Sequence, residues 1–78
     1  MPRFYFDIQM GAISYQDEDG TDMQGPPEAR VMALETLASF ARDERSDRDQ
    51  GYWAADVRDE TRRVIYRATL SLMGGWVD

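Results

Sequence analysis

Three groups of side chains in this sequence have residue types and spacing that could do chemistry. Asp17, Glu18, Asp19 and Asp22 crowd carboxylates into "DEDGTD", a composition able to hold a divalent cation. A calcium loop, however, sets its acids at alternate positions and follows them with a glycine and a later glutamate, a spacing this stretch lacks. A solvated turn is the expectation. Asp43, Glu44, Asp47 and Asp49 interleave with Arg42, Arg45 and Arg48, so their charges nearly cancel, as suits a helix end fraying into water. Arg58, Arg62, Arg63 and Arg67 form the one basic concentration. On strands, Arg58 and Arg67 share a face by parity, with Tyr5, Tyr52 and Thr69 nearby. Arginines beside aromatics are the ingredients of a single-stranded nucleic-acid platform. The competing account pairs these arginines across strands with Asp7 and Asp56.

What is missing narrows the chemistry further. Histidine and cysteine are both absent, which removes the commonest general base, the commonest metal ligand and any disulfide. Hydroxyl nucleophiles have no histidine or lysine to activate them, because all nine basic residues are arginine. Two carboxylates can in principle run glycoside hydrolysis, but nothing in the spacing gathers a pair into a pocket. No glycine loop of the phosphate-cradling kind is present. The expectation is no enzyme, no cofactor and no metal. A net charge of −6 repels phosphate backbones and argues against duplex nucleic acid. The apolar start "MPRFYFDIQM" is too short for a signal peptide or membrane span and is broken by Asp7, so a cytoplasmic protein with no membrane partner is expected.

The elements that would position these groups follow from periodicity. Phe4, Phe6 and Ile8 alternate with Tyr5, Asp7 and Gln9, the pattern of a half-buried strand. Gly11 suits a hairpin turn, and Ile13 and Tyr15 continue as a second strand. Gly20 suits another turn, and Gly25, Pro26 and Pro27 stop any strand and prime a helix. The spacing of Ala29, Ala33, Leu34, Leu37, Ala38, Phe40 and Ala41 predicts an amphipathic helix from about Pro27 to Arg45. A loop "SDRDQG" follows. Trp53, Ala55 and Val57 mark a third strand; Tyr66, Ala68, Leu70 and Leu72 mark a fourth, ended by Gly74 and Gly75. Asp59, Glu60, Thr61 and Arg62 fall where the last hairpin must reverse.

The stretches "MPRFYFDI", "DEDGTD", "EARVMALETLASFARD" and "VRDETRRVIYRATLSL" together resemble a family of short bacterial proteins of unknown function. That family's pattern is a Pro-Arg-aromatic-Phe strand, an acidic turn, an Ala/Leu helix and an "EVRDEDG" hairpin. The resemblance covers nearly the whole chain. It departs at the second hairpin, where "DETRR" stands without the family's glycine. The resemblance implies a small α+β domain and carries over no catalytic residue or ligand.

One α+β domain over residues 1–78 is therefore expected, in the order β-β-α-β-β, with one helix on one face of a four-stranded, mainly antiparallel sheet. Strand order 2-1-3-4 makes every neighbouring pair antiparallel; order 2-1-4-3 would put a parallel pair at the centre. The expected role is a small non-catalytic interaction or self-associating domain. Tyr5, Tyr52, Arg58, Ile65, Arg67 and Trp76 are its candidate surface, and an unknown protein partner or a weak homodimer would occupy it. The alternative is an acidic regulator or decoy for a nucleic-acid-binding protein, its negative surface supplied by the helix end and the "DEDGTD" turn.

Overall fold

A computed structural model describes residues 1–44 and 49–77. The elements run β1 (Arg3–Met10), β2 (Ile13–Tyr15), β3 (Thr21–Asp22), α1 (Pro26–Glu44), β4 (Gln50–Arg58) and β5 (Val64–Met73). Arg45, Asp47 and Arg48, with most of the expected "SDRDQG" loop, lie outside the described residues. The sheet order is β2-β1-β4-β5, and every neighbouring pair is antiparallel, as order 2-1-3-4 required. One element was not foreseen. β3 is a two-residue strand that adds to β1 at Phe4 and Arg3, so the sheet has five strands.

Period-two patterning sets the inner face. Phe4 and Ile8 from β1 and Trp53, Ala55 and Val57 from β4 are buried, with Phe6, Met10, Tyr66 and Ala68 packed against them. The helix meets this face with Ala29, Ala33, Leu37 and Ala41, all buried. Three of these four are alanines, and the missing bulk lets the helix lie close to β4. The covered stripe is narrow: Leu34 and Phe40 are half-buried at its margins, and Ala38, expected inside, is exposed. The proline pair occupies the first helical turn, where absent N–H groups cost no intrahelical bond. Glu28 in that turn and Arg42 in the last complement the helix dipole. No helix among the described residues is long and apolar enough to cross a membrane.

Gly51, expected to end a loop, lies inside β4 opposite Leu72. The Trp53 indole folds back over it, and any Cβ at Gly51 would run into that ring. Glycine thus makes room for the largest side chain of the core.

The two hairpins reverse differently. Gly11 takes φ +59° in the two-residue turn between Met10 and Ile13. Between β4 and β5 the Arg62 N–H donates to the Asp59 carbonyl at 2.9 Å, and the Asp59 N–H donates to the Arg63 carbonyl at 3.0 Å. This is a type I turn followed by a left-handed residue, and that residue is Arg62, at φ 70°. Asp59 organises the turn: its Oδ1 accepts from the N–H groups of Thr61 and Arg63 and from the Thr61 hydroxyl. The Thr61 hydroxyl, opposed by slight burial and helped by the turn N–H groups, holds the Asp59 carboxyl below the usual aspartate range.

The glycine missing from "DETRR" is therefore missing at the position that favours it. A side chain in the left-handed region costs about 1–2 kcal/mol, and the added freedom of an unfolded glycine returns roughly half of that. Arg62→Gly should raise stability by about 0.5–1 kcal/mol, read as a higher urea midpoint with an unchanged slope.

Candidate functional site

The outer face of the sheet carries a row of charge across three strands. Asp7 on β1 lies directly opposite Asp56 on β4, which lies opposite Arg67 on β5. Two carboxylates facing each other repel, so each needs a cation. Arg67 takes Asp56, donating Nε to Oδ1 at 2.6 Å and Nη2 to Oδ2 at 2.9 Å. Arg58 takes Asp7 in the same forked manner, at 2.7 and 3.1 Å. The arginines proposed for stacking bases are thus already paired across strands.

The two pairs are not equivalent. Arg67 is exposed, and its pair is a surface one. Arg58 is only 7 % exposed, the one buried charged residue among those described. Its guanidinium also donates to the Asp17 carbonyl at 2.9 Å and sits 5.0 Å from the centre of the Tyr5 ring. Hydrogen bonding to Asp7 raises the Arg58 pKa, against burial, with the charges of Asp7 and Asp17 adding to the rise.

Asp17, expected in a solvated turn, is the hub of the neighbouring loop. Its Oδ2 accepts from the Phe6 N–H at 3.1 Å, and its Oδ1 accepts from Asp19 and Gly20 at 3.2 and 3.1 Å. Its own N–H donates to Asp7 Oδ1 at 2.9 Å. β1 alternates its backbone groups between β4 on one side and its outer edge on the other. Even-numbered residues face the outer edge: Ile8 and Met10 pair with β2, Phe4 pairs with Thr21, and the Met23 N–H reaches the Pro2 carbonyl. Phe6 falls in the gap between β2 and β3, and the Asp17 carboxylate fills it. Gly20 makes this possible, because at φ +73° its Cα lies against Arg3 and Tyr5 with no space for a Cβ. Asp22 pairs with Arg3 at 3.0 Å, so only Glu18 and Asp19 of "DEDGTD" remain as free negative surface.

Burial resists ionisation of Asp17, but N–H groups of Gly20, Phe6 and Asp19, with Arg58 nearby, outweigh it and hold the carboxyl below the usual aspartate range. A lowered folded pKa means the unfolded chain binds the proton more readily. The stabilisation from Asp17 is then complete above the ordinary aspartate range and is lost as pH falls through it toward the folded value. Urea midpoints should fall on acidification over that window, and Asp17→Asn should flatten the decline.

Between β2 and β4 the outer face sinks into a depression of about 320 Å³. Ala54 is its floor, Tyr15 and Tyr52 stand at its sides, and Gln9, Asp56 and Arg67 supply polar groups. The volume is at the low end for a ligand site. The depression brings two carboxylates, Asp7 and Asp56, side by side, a pairing the sequence spacing did not show, and each is held by its own arginine, Asp56 by Arg67 and Asp7 by Arg58.

Among the described residues no strand pairs with the opposite edge of the sheet, the outer side of β5. The Gly74 N–H donates to the Asp49 carbonyl at 2.6 Å, which fixes the phase of the β4–β5 ladder. Tyr66, Ala68, Leu70 and Leu72 turn their backbone groups toward β4; Arg67, Thr69, Ser71 and Met73 turn theirs outward. Ile65 is the extra residue of a bulge between the Val57–Tyr66 and Arg58–Val64 pairs. Leu70 and Leu72 point to the helix side yet are more than a third exposed. Trp76, in the tail beyond β5, is 100 % exposed.

The candidate surface residues thus divide. Tyr5 and Arg58 are locked together under the acidic loop, Tyr52 borders the depression, and Ile65, Arg67 and Trp76 follow β5 and its tail. Periodicity missed Asp17, although "DEDG", an aspartate three residues before a glycine, is an Asx-turn signal. This framework of β1 to β5 coincides with a family match over residues 3–71, described as a domain of unknown function (DUF6894). The chain belongs to this family. Within the DUF6894 domain the match begins at the first residue of β1 and reaches Ser71, stopping short of Met73 and Trp76. No curated protein and no solved structure matches the chain.

Proposed function

We propose that this DUF6894 domain is a non-catalytic interaction module that engages a protein strand along the open edge of β5. One observation carries the reading: the two edges of the sheet are treated oppositely. On the β1 side the sheet ends in short pieces, the three-residue β2, the Asp17 carboxylate and the two-residue β3, which cover β1 and leave little edge to pair with. Among the described residues the ten-residue β5 has a strand partner only on its β4 side, so the outward backbone groups of Arg67, Thr69, Ser71 and Met73 are unpaired there. Proteins ordinarily blunt such an edge with proline, lysine or an inward-pointing charge, because it templates pairing with another chain. β5 has no proline or lysine, its one charge, Arg67, points outward to Asp56, and its single bulge, at Ile65, leaves Tyr66 to Met73 in regular register with β4. An edge left in this state is suited to β-augmentation, in which main-chain bonds supply affinity and alternate side chains supply choice.

Thr69→Pro tests this directly. Its N–H points away from β4, so proline removes an outward donor while leaving the ladder within the domain intact. Immobilised wild-type domain should retain a protein from extract of its native host that the Thr69→Pro form, of unchanged circular dichroism, does not. Equal retention by both forms would remove the edge from the account.

A further inference from the structure

We propose that the strand taken up by β5 is the β5 of a second copy, paired antiparallel about a two-fold axis at Thr69. This rests on the reading of the edge as an interaction surface and names its occupant.

Charge points to a second copy. The chain carries a net −6, so two copies repel over most of their surfaces. From Val64 to Val77 the only charged side chain is Arg67. That strip is where two such molecules meet without opposing acids.

The register follows from the strand itself. Its uninterrupted ladder runs from Tyr66 to Met73, beyond the Ile65 bulge. An axis at Arg67 would set two guanidinium groups face to face, which is unfavourable. An axis at Ala68 would oppose two small side chains, shorten the regular ladder to Tyr66–Leu70 and set Leu72 against Val64 across the bulge. With the axis at Thr69, the straight segment is used almost fully. Thr69 meets its own copy through two outward-facing backbone groups, and Arg67 meets Ser71. On the helix side Tyr66 meets Leu72 and Ala68 meets Leu70, so the two leucines left exposed in one copy are covered by the other.

The ends match as well. Ile65 and Met73 stand at opposite ends of β5, both exposed, and this register brings each against the other in the second copy. Three residues beyond Met73, Trp76 comes level with Arg62 of the second copy, beside Arg63. Neither arginine forms an ion pair among the described residues. A guanidinium over an indole face is an attractive contact, and it gives the fully exposed tryptophan a partner.

The chain has no cysteine, so single cysteines report the axis. Only a residue on the two-fold axis faces its own copy at disulfide distance; one two positions away is roughly 14 Å from its counterpart. Under mild oxidation Thr69→Cys should give a covalent dimer in high yield. Arg67→Cys and Ser71→Cys should give little separately and cross-link when mixed. By light scattering, the wild-type dimer should tighten as salt screens the acidic surfaces, and Trp76→Ser should raise its Kd about tenfold. A cross-linking maximum elsewhere on β5, or a constant monomer mass up to near-millimolar concentration, overturns the proposal. A monomer that holds a host protein lost in Thr69→Pro overturns the dimer and keeps the edge; a monomer indifferent to Thr69→Pro overturns both.

Discussion

Asp7→Ala should cost about 3–5 kcal/mol, most of the stability of a domain this small. The mechanism is the orphaned cation. Arg58 is buried, and Asp7 takes both arms of its fork. Without that carboxylate the guanidinium keeps only the Asp17 carbonyl and the Tyr5 ring, and its burial is uncompensated. Replacing both partners by apolar residues of similar size removes the charge together with its counterion, and such exchanges are often near neutral. Asp7→Leu with Arg58→Met should therefore recover most of the loss in urea melts. Arg67→Ala is the comparison: Arg67 is exposed and its loss orphans no buried cation, so the midpoint should fall far less, by what Asp56 facing Asp7 then costs. Equal losses in Asp7→Ala and Arg67→Ala would contradict the burial of the Arg58 pair as the source of the effect.

Asp17→Ala should be the next most damaging change, at about 2–4 kcal/mol. It strips the acceptor from the half-buried Phe6 N–H and from the turn N–H groups of Asp19 and Gly20. Leaving a buried donor unsatisfied costs more than the hydrogen bond itself contributed. Glu18→Ala and Asp19→Ala, exposed and free of such bonds, should lie within experimental error. If the four acids acted instead as one cation site or one negative patch, their removal would have comparable consequences. Thermal or urea melts of the single variants separate the two cases.

Much of the architecture was legible because it rests on repeating signals. Alternation in "FYFDIQ" and "WAADVR" assigned the inner face, and the four-residue spacing of alanines assigned the helix. Antiparallel economy then favoured β1 beside β4. What escaped was set by single side chains acting at a distance in sequence. Nothing in "DEDGTD" announces that Asp17 will reach back eleven residues to Phe6, or that β3 will form beyond it. Gly51 reads as a loop residue until the Trp53 ring is placed over it. The cross-strand pairing of Arg58 and Arg67 was foreseen, but not the burial of Arg58, because a short loop folding over a sheet face leaves no periodic trace. The candidate surface moved for the same reason. Tyr5 and Arg58 lie under the acidic loop beside β1, while Ile65, Arg67 and Trp76 follow the long edge strand β5 and its tail.

Amide hydrogen exchange, followed by NMR over a concentration series, tests the contrast between the two edges most directly. The Phe6 N–H, held by Asp17, should be protected at every concentration, as should those of Tyr66, Ala68, Leu70 and Leu72, held by β4. The N–H groups of Arg67, Thr69 and Ser71 should exchange freely in dilute protein and slow together as concentration rises. If these three stay unprotected at all concentrations while signals of Tyr15, Tyr52 and Ala54 change instead, the contact lies on the outer face and the β5 account is contradicted.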